Sequence, residues 1–205
     1  MATSDAFDHP DVMLRLRVQA KAELRKKARQ LRNAIPASAL SERSAQLVER
    51  VWGLAELQSK KSFALFYPIE SRNEADLRAL DAKIRERDGR VAYPRVKRET
   101  GEMIFQWVSN LNELEEQGNG FREPPQSAPE ALEIDVIVVP ALLVDERGFR
   151  IGYGAGYYDR TLPRFCPPAL SIAVGFDFQL TGELPNTAGD VRVSMVVTDK
   201  RVLRV

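Results

Sequence analysis

Apolar positions along the chain fall into two periods. Over residues 12–33, Leu14, Val18, Leu24, Ala28 and Leu31 recur at helical spacing, and Ile35-Pro36 ends the run. A second helix is predicted over 38–57, on Leu40, Leu47, Val51 and Leu54. Residues 63–67 form a short apolar run closed by Pro68, which reads as a buried strand. A third helix opens at Glu74 and stops near Gly89. Residues 90–94, 103–108, 135–140, 170–176 and 194–198 read as further strands, and 120–128 as a proline-rich connection.

Strands that are apolar throughout, alternating with helices, predict an α/β fold: a three-layer sandwich with a mostly parallel central sheet flanked by helices. No repeat or long linker divides the chain, so 1–205 is expected to be one domain. In such sheets ligands sit beyond the carboxyl ends of strands. Tyr67-Pro68, Tyr93-Pro94, Pro140 and a glycine-rich loop near residue 152 all follow strands and should converge on one cleft.

Composition narrows the chemistry. The 205 residues are 44% hydrophobic and carry a formal net charge of +1, which argues against a general nucleic-acid coat. The first helix is nonetheless basic: Arg15, Arg17, Lys21, Arg25, Lys26, Lys27, Arg29 and Arg32 are set against Glu23. Basic helix faces are usually just solvated, and an RNA-binding reading would also need repeated basic–aromatic clusters. Cys166 is the sole cysteine and His9 the sole histidine, which excludes a Ser-His-Asp triad or a His-ligated zinc within the chain. Acid–base or metal work must then fall to carboxylates, lysine, tyrosine or the substrate. No run approaches the roughly twenty apolar residues of a membrane span, and the opening residues lack the pattern of a secretory signal. The cytosol is the simplest location; no nucleic-acid or membrane partner is expected, and a monomer is.

The most informative stretch is 145–160. Gly152, Gly154 and Gly156 alternate and lead into Tyr157-Tyr158-Asp159-Arg160. Such a run can aim several N–H groups at one anion. Arg150 and Arg160 bracket it with guanidinium groups suited to phosphate oxygens, and Asp159 is a candidate magnesium ligand. Lys21 and Arg25, four apart on one helix face, are placed to grip one ligand together. Together these point to a nucleotide phosphate plus a metal. Against this stands the plain alternative of a glycine-rich surface turn.

In their order and spacing these residues resemble the 5-formyltetrahydrofolate cyclo-ligase (methenyltetrahydrofolate synthetase) family, from about Lys21 to Thr198. The strongest motif is Arg150-Ile151-Gly152-Tyr153-Gly154-Ala155-Gly156-Tyr157-Tyr158-Asp159-Arg160. Lys21-Ala22-Glu23-Leu24-Arg25, Glu74-Ala75-Asp76, Tyr93-Pro94-Arg95-Val96, Phe105-Gln106-Trp107, Phe121-Arg122-Glu123-Pro124 and Val139-Pro140-Ala141-Leu142 support it. The resemblance implies an enzyme that uses ATP and Mg²⁺ to convert 5-formyltetrahydrofolate to 5,10-methenyltetrahydrofolate. It implies ATP binding by Lys21, Arg25 and the loop from Arg150 through Tyr158, and catalytic roles for Arg150, Tyr158 and Asp159. It implies folate contacts at Tyr67, Glu74, Trp107 and Tyr158, and metal binding at Asp159 and Asp190. Tyr153 stands where members of that family often have a basic or small residue, and Ala155 where some have lysine, which leaves more phosphate charge to Arg150, Lys21 and Arg25. Residues 1–17 have no clear counterpart and are expected to form a flexible extension. The alternative is a paralogue of the same fold that binds ATP but acts on another substrate or lacks the activity.

Overall fold

The computed structural model describes residues 10–118 and 120–205. Four helices, α1 (Pro10–Asn33), α2 (Ala37–Trp52), α3 (Arg78–Glu86) and α4 (Tyr157–Thr161), pack on the sheets. The strands in chain order are β1 (Ser62–Ala64), β2 (Arg90–Val96), β3 (Met103–Val108), β4 (Glu115–Glu116), β5 (Arg122–Glu123) and β6 (Val136–Pro140). They continue with β7 (Leu143–Asp145), β8 (Arg150–Ile151), β9 (Leu170–Gly175), β10 (Leu180–Thr181), β11 (Met195–Thr198) and β12 (Val202–Arg204).

The main sheet has seven strands in the order β12-β11-β9-β6-β1-β2-β3. The five inner strands are parallel, and β3 and β12 close the two edges antiparallel. Among the parallel strands the chain steps from β1 to β2 on one side, then crosses to β6 on the other. The winding direction therefore reverses between β1 and β6, where an α/β sheet opens its crevice.

Successive strand residues feed opposite faces of the sheet. Phe63, Val91, Tyr93, Val136, Val138, Ile172, Val174, Met195 and Val197 pack with α2 and α3. Ala64, Ala92, Ile137, Val139, Ala173 and Val196 pack with Leu162, Phe105 and Val144 on the other face. That second layer is built from short α4, the turn after it and the small sheet β10-β7-β8.

The expected elements recur with shifted ends. The second helix stops at Gly53, and only a 3-10 turn, Ala55–Leu57, follows. The third begins at Arg78, because Asp76 turns its carboxylate back onto the Arg78 amide at 2.9 Å and leaves Glu74 ahead of the helix. The small sheet and β12 were not expected: two- and three-residue strands are too short to show a period. The first helix reaches back to Pro10, so residues 10–17 of the expected extension are helical, while 1–9 lie outside the described residues. Its apolar stripe is not its buried face. Leu14, Val18 and Leu31 are 49%, 53% and 60% exposed, whereas Lys21, Ala28 and Arg32 are buried. The inward face is charged because it meets carboxylates and a loop carbonyl rather than the core. Among the described residues no helix is long and apolar enough to cross a membrane.

Candidate active site

Beyond the reversal point, Phe66 and Tyr67 after β1 and Pro140 and Ala141 at the end of β6 border a cavity of about 350 Å³. Its remaining walls come from α1, the turn at Glu74, the β4–β5 hairpin and the glycine loop. The size suits a small-molecule ligand.

The glycine loop is aimed by the β7–β8 hairpin, whose turn is organised by the buried carboxylate of Asp145. Its Oδ1 accepts the amides of Arg147 and Phe149 at 3.1 and 2.8 Å, and its Oδ2 that of Leu184 at 3.0 Å. Gly148 completes the turn at φ +79°, where a Cβ would lie 2.7 Å from the Val193 carbonyl. The hairpin presents Arg150 inward. Arg150 Nη1 donates to the Val191 carbonyl at 2.6 Å and Nη2 to Asp159 Oδ1 at 3.0 Å. The same Asp159 oxygen accepts the Val191 amide at 3.1 Å. Burial pulls the Arg150 pKa down, and the Asp159 charge opposes that shift. Gly154, at φ +109°, lets the loop pass beside the Arg25 guanidinium, whose Nε donates to the Gly152 carbonyl at 3.1 Å.

Helix α1 forms the facing wall. Lys21 Nζ is ion-paired with Asp190 Oδ2, which also accepts the Thr187 hydroxyl at 2.9 Å. Burial penalises the Asp190 carboxylate, but hydrogen bonds from Lys21 and Thr187 outweigh it and hold its pKa below the ordinary value. Three turns further along, Arg32 is buried and donates to the Tyr153 hydroxyl.

Glu74 lies at this second end, 6% exposed. Its Oε2 accepts the Ile69 amide at 2.9 Å, its Oε1 accepts the Tyr153 hydroxyl at 2.6 Å, and Arg32 Nη2 stands 3.9 Å from Oε1. Burial, with Glu74 beside it, pushes the Tyr153 pKa up to about 12, so the phenol is a neutral donor. The Tyr158 hydroxyl is buried with no hydrogen-bond partner among the described residues, and burial raises its pKa well above the ordinary value. A neutral phenol left in this state is a donor available to a ligand.

Lys21, Arg25, Tyr67, Glu74, Asp190 and every residue from Arg150 through Asp159 border this one cavity. Trp107 does not. It pairs with Ala92 early in β2, away from the strand's carboxyl end, and the Arg90 guanidinium covers its ring at 4.1 Å. Sequence reasoning passed over Arg32, although its spacing from Lys21, Arg25 and Ala28 places it on the same helix face. Among the described residues no group of three or more His, Cys, Asp or Glu side chains could hold a metal ion. Asp159 Oδ2 and Asp190 Oδ1, both on residues bordering the cavity, accept no hydrogen bond among the described residues.

Known proteins carry the same architecture. Residues 17–199 match the 5-formyltetrahydrofolate cyclo-ligase family. The 5-formyltetrahydrofolate cyclo-ligase of Mycolicibacterium smegmatis is 34% identical over 189 residues, covering 89% of this chain and 95% of that protein. Its Escherichia coli K12 counterpart of the same name is 26% identical over 179 residues, covering 85% and 97%. The solved structure of Aquifex aeolicus 5,10-methenyltetrahydrofolate synthetase superposes with a TM-score of 0.78 at 31% identity, covering 90% of this chain and 92% of that one. The chain belongs to the 5-formyltetrahydrofolate cyclo-ligase family, a family of ligases.

Proposed function

We propose that the chain binds ATP and 5-formyltetrahydrofolate side by side in this cleft and closes the folate to 5,10-methenyltetrahydrofolate, releasing ADP and phosphate. One observation carries the reading: two different sets of side chains border the cleft about three turns of α1 apart. Lys21, Arg25 and Arg150 gather at one end, and the buried carboxylate of Glu74 stands at the other, where Tyr153 of the glycine loop reaches it. The first end suits phosphate oxygens. The second suits the paired N–H groups on the edge of a pterin ring, which a carboxylate accepts as it accepts guanidinium.

In this reading the formyl oxygen attacks the γ-phosphorus of ATP, the bond to ADP breaks, and the formyl carbon becomes electrophilic. N10 of the folate then attacks that carbon and loses its proton, and the carbon–oxygen bond breaks as phosphate leaves. Both the attacking oxygen and N10 belong to the substrate, so no protein nucleophile is required. The protein's work is positioning and charge neutralisation. Lys21 and Arg25 hold the phosphates, Arg150 faces the charge that develops in transfer, and the Tyr158 phenol donates a hydrogen bond to a ligand oxygen. The donor set also suits Mg²⁺. That ion favours one or two carboxylates together with phosphates and water, and Asp159 and Asp190 each offer one oxygen that is not otherwise bonded. When bound, it would neutralise charge on the transferring phosphoryl group.

The test is the absorbance of methenyltetrahydrofolate after mixing pure protein with 5-formyltetrahydrofolate, ATP and Mg²⁺, each omitted in turn. A rise that needs all three is expected. No rise with ATP still bound would overturn the reading in favour of another substrate.

A further inference from the structure

The mouth of the cleft carries guanidinium groups that the reaction above does not use. Arg72 lies between two aromatic rings, 5.0 Å from the centroid of Phe121 and 4.7 Å from that of Tyr153. Its side chain forms no ion pair or hydrogen bond among the described residues. Its backbone is fixed by the 3-10 turn Glu70–Arg72 and by Asn73, whose Nδ2 donates to the carbonyls of Arg32 and Ile35 at 3.1 and 3.2 Å. Beside Phe121, Arg122 borders the cavity with its guanidinium 5.5 Å from the Tyr67 ring centroid. Its carboxylate neighbour Glu116 is 3.7 Å away and half exposed, a pairing worth little. Arg78, over the same Tyr67 ring, is already held by Asp76 and Glu70.

Helix α1 measures how far this mouth lies from the phosphate-binding residues. Lys21 and Arg32 are eleven positions apart, which is about 16 Å along a helix. Arg72 stacks on Tyr153, whose hydroxyl is bonded to Arg32 and Glu74. The Arg72–Phe121–Arg122 group therefore belongs to the Glu74 end.

We propose that Arg122 contacts an anionic extension of the substrate that leaves the cleft between Tyr67 and Phe121, and that Arg72 is the positioning residue that fixes Phe121, the residue before Arg122. The inference rests on the proposed function, since 5-formyltetrahydrofolate carries such an extension in the carboxylates of its glutamate. A preformed cation backed by an aromatic ring loses little freedom on binding a carboxylate, which is why such a site would add selectivity.

The experiment compares KM for 5-formyltetrahydrofolate with KM for 5-formyltetrahydropteroate, which lacks the glutamate, in the wild type, Arg122→Gln and Arg72→Gln. The wild type is expected to favour the glutamate-bearing substrate, and Arg122→Gln to reduce that preference about fivefold, the scale of one half-exposed ion pair. Arg72→Gln should reduce it in the same direction, which a general loss of stability would not do. Equal KM values for both substrates in the wild type overturn the subsite while leaving the proposed function intact. An unchanged preference in Arg122→Gln also overturns it, and a rise confined to the KM for ATP reassigns Arg122 to phosphate. Failure of the wild type to turn over either substrate overturns the function and the inference together.

Discussion

The Tyr153 hydroxyl donates to Glu74 Oε1 across 2.6 Å, joining the glycine loop to the turn before α3. The loop assigned to nucleotide and the carboxylate assigned to folate thus share one buried hydrogen bond, with Arg32 attached to the same phenol. Tyr153→Phe removes the donor and leaves a buried carboxylate short of one partner. Unfolding by urea should show a loss of about 1–3 kcal/mol, together with a raised KM for 5-formyltetrahydrofolate. Unchanged stability and KM would remove Tyr153 from this role.

Glu74→Gln keeps the shape of the side chain and removes its charge. KM for 5-formyltetrahydrofolate should rise and KM for ATP should stay close to the wild-type value. Equal losses for both ligands would mean that the ends of the cleft have been assigned wrongly.

In the proposed site Lys21→Ala removes one charge-assisted contact to phosphate, and it strands the Asp190 carboxylate. The expected rise in KM for ATP corresponds to roughly 1.5–3 kcal/mol, with a smaller effect on the folate. An unchanged KM for ATP would place Lys21 outside the nucleotide site.

Asp159→Asn should sharply lower turnover while the fold survives. The change removes a candidate metal ligand and leaves the buried guanidinium of Arg150 without its carboxylate. Near-normal turnover at saturating Mg²⁺ would refute the metal role.

The Lys21–Asp190 pair gives a pH dependence with a definite sign. The Asp190 pKa is depressed below its ordinary 3.8, so the stability this carboxylate contributes is full above that value. It is lost as pH falls below 3.8 and through the lower folded-state pKa. Acid unfolding of Asp190→Asn should lack this component; an acid limb of undiminished steepness would show that Asp190 does not contribute.

The sheet was legible in the sequence because its inner strands are apolar on both faces and are punctuated by proline at Pro68, Pro94 and Pro140. The glycine loop was legible because its chemistry is local: three alternating glycines, flanking arginines and an aspartate stand in one run. The contacts of α1 were not. Its apolar period pointed to Leu14, Val18 and Leu31 as the packed face, and only the distant partners Asp190, Gly152 and Tyr153 turn the charged face inward. Trp107 misled for a related reason. Periodicity places it in a strand, but which end of that strand faces the ligand follows from the register with β2. Arg72 and Phe121, nearly fifty residues apart in the chain, meet only because the β4–β5 hairpin folds over the turn before Glu74.

No residue of α1 belongs to either apolar cluster of the sheet, and its buried side chains are Lys21, Ala28 and Arg32. Detaching this helix would therefore uncover little apolar surface and need not disturb the sheet. Such an element opens locally, below the free energy of global unfolding. Amide hydrogens of α1 should accordingly exchange faster than those of β6 and β9. Nucleotide held by Lys21 and Arg25 in the proposed way should slow that exchange in proportion to its occupancy, so the helix would itself report when the proposed site is filled.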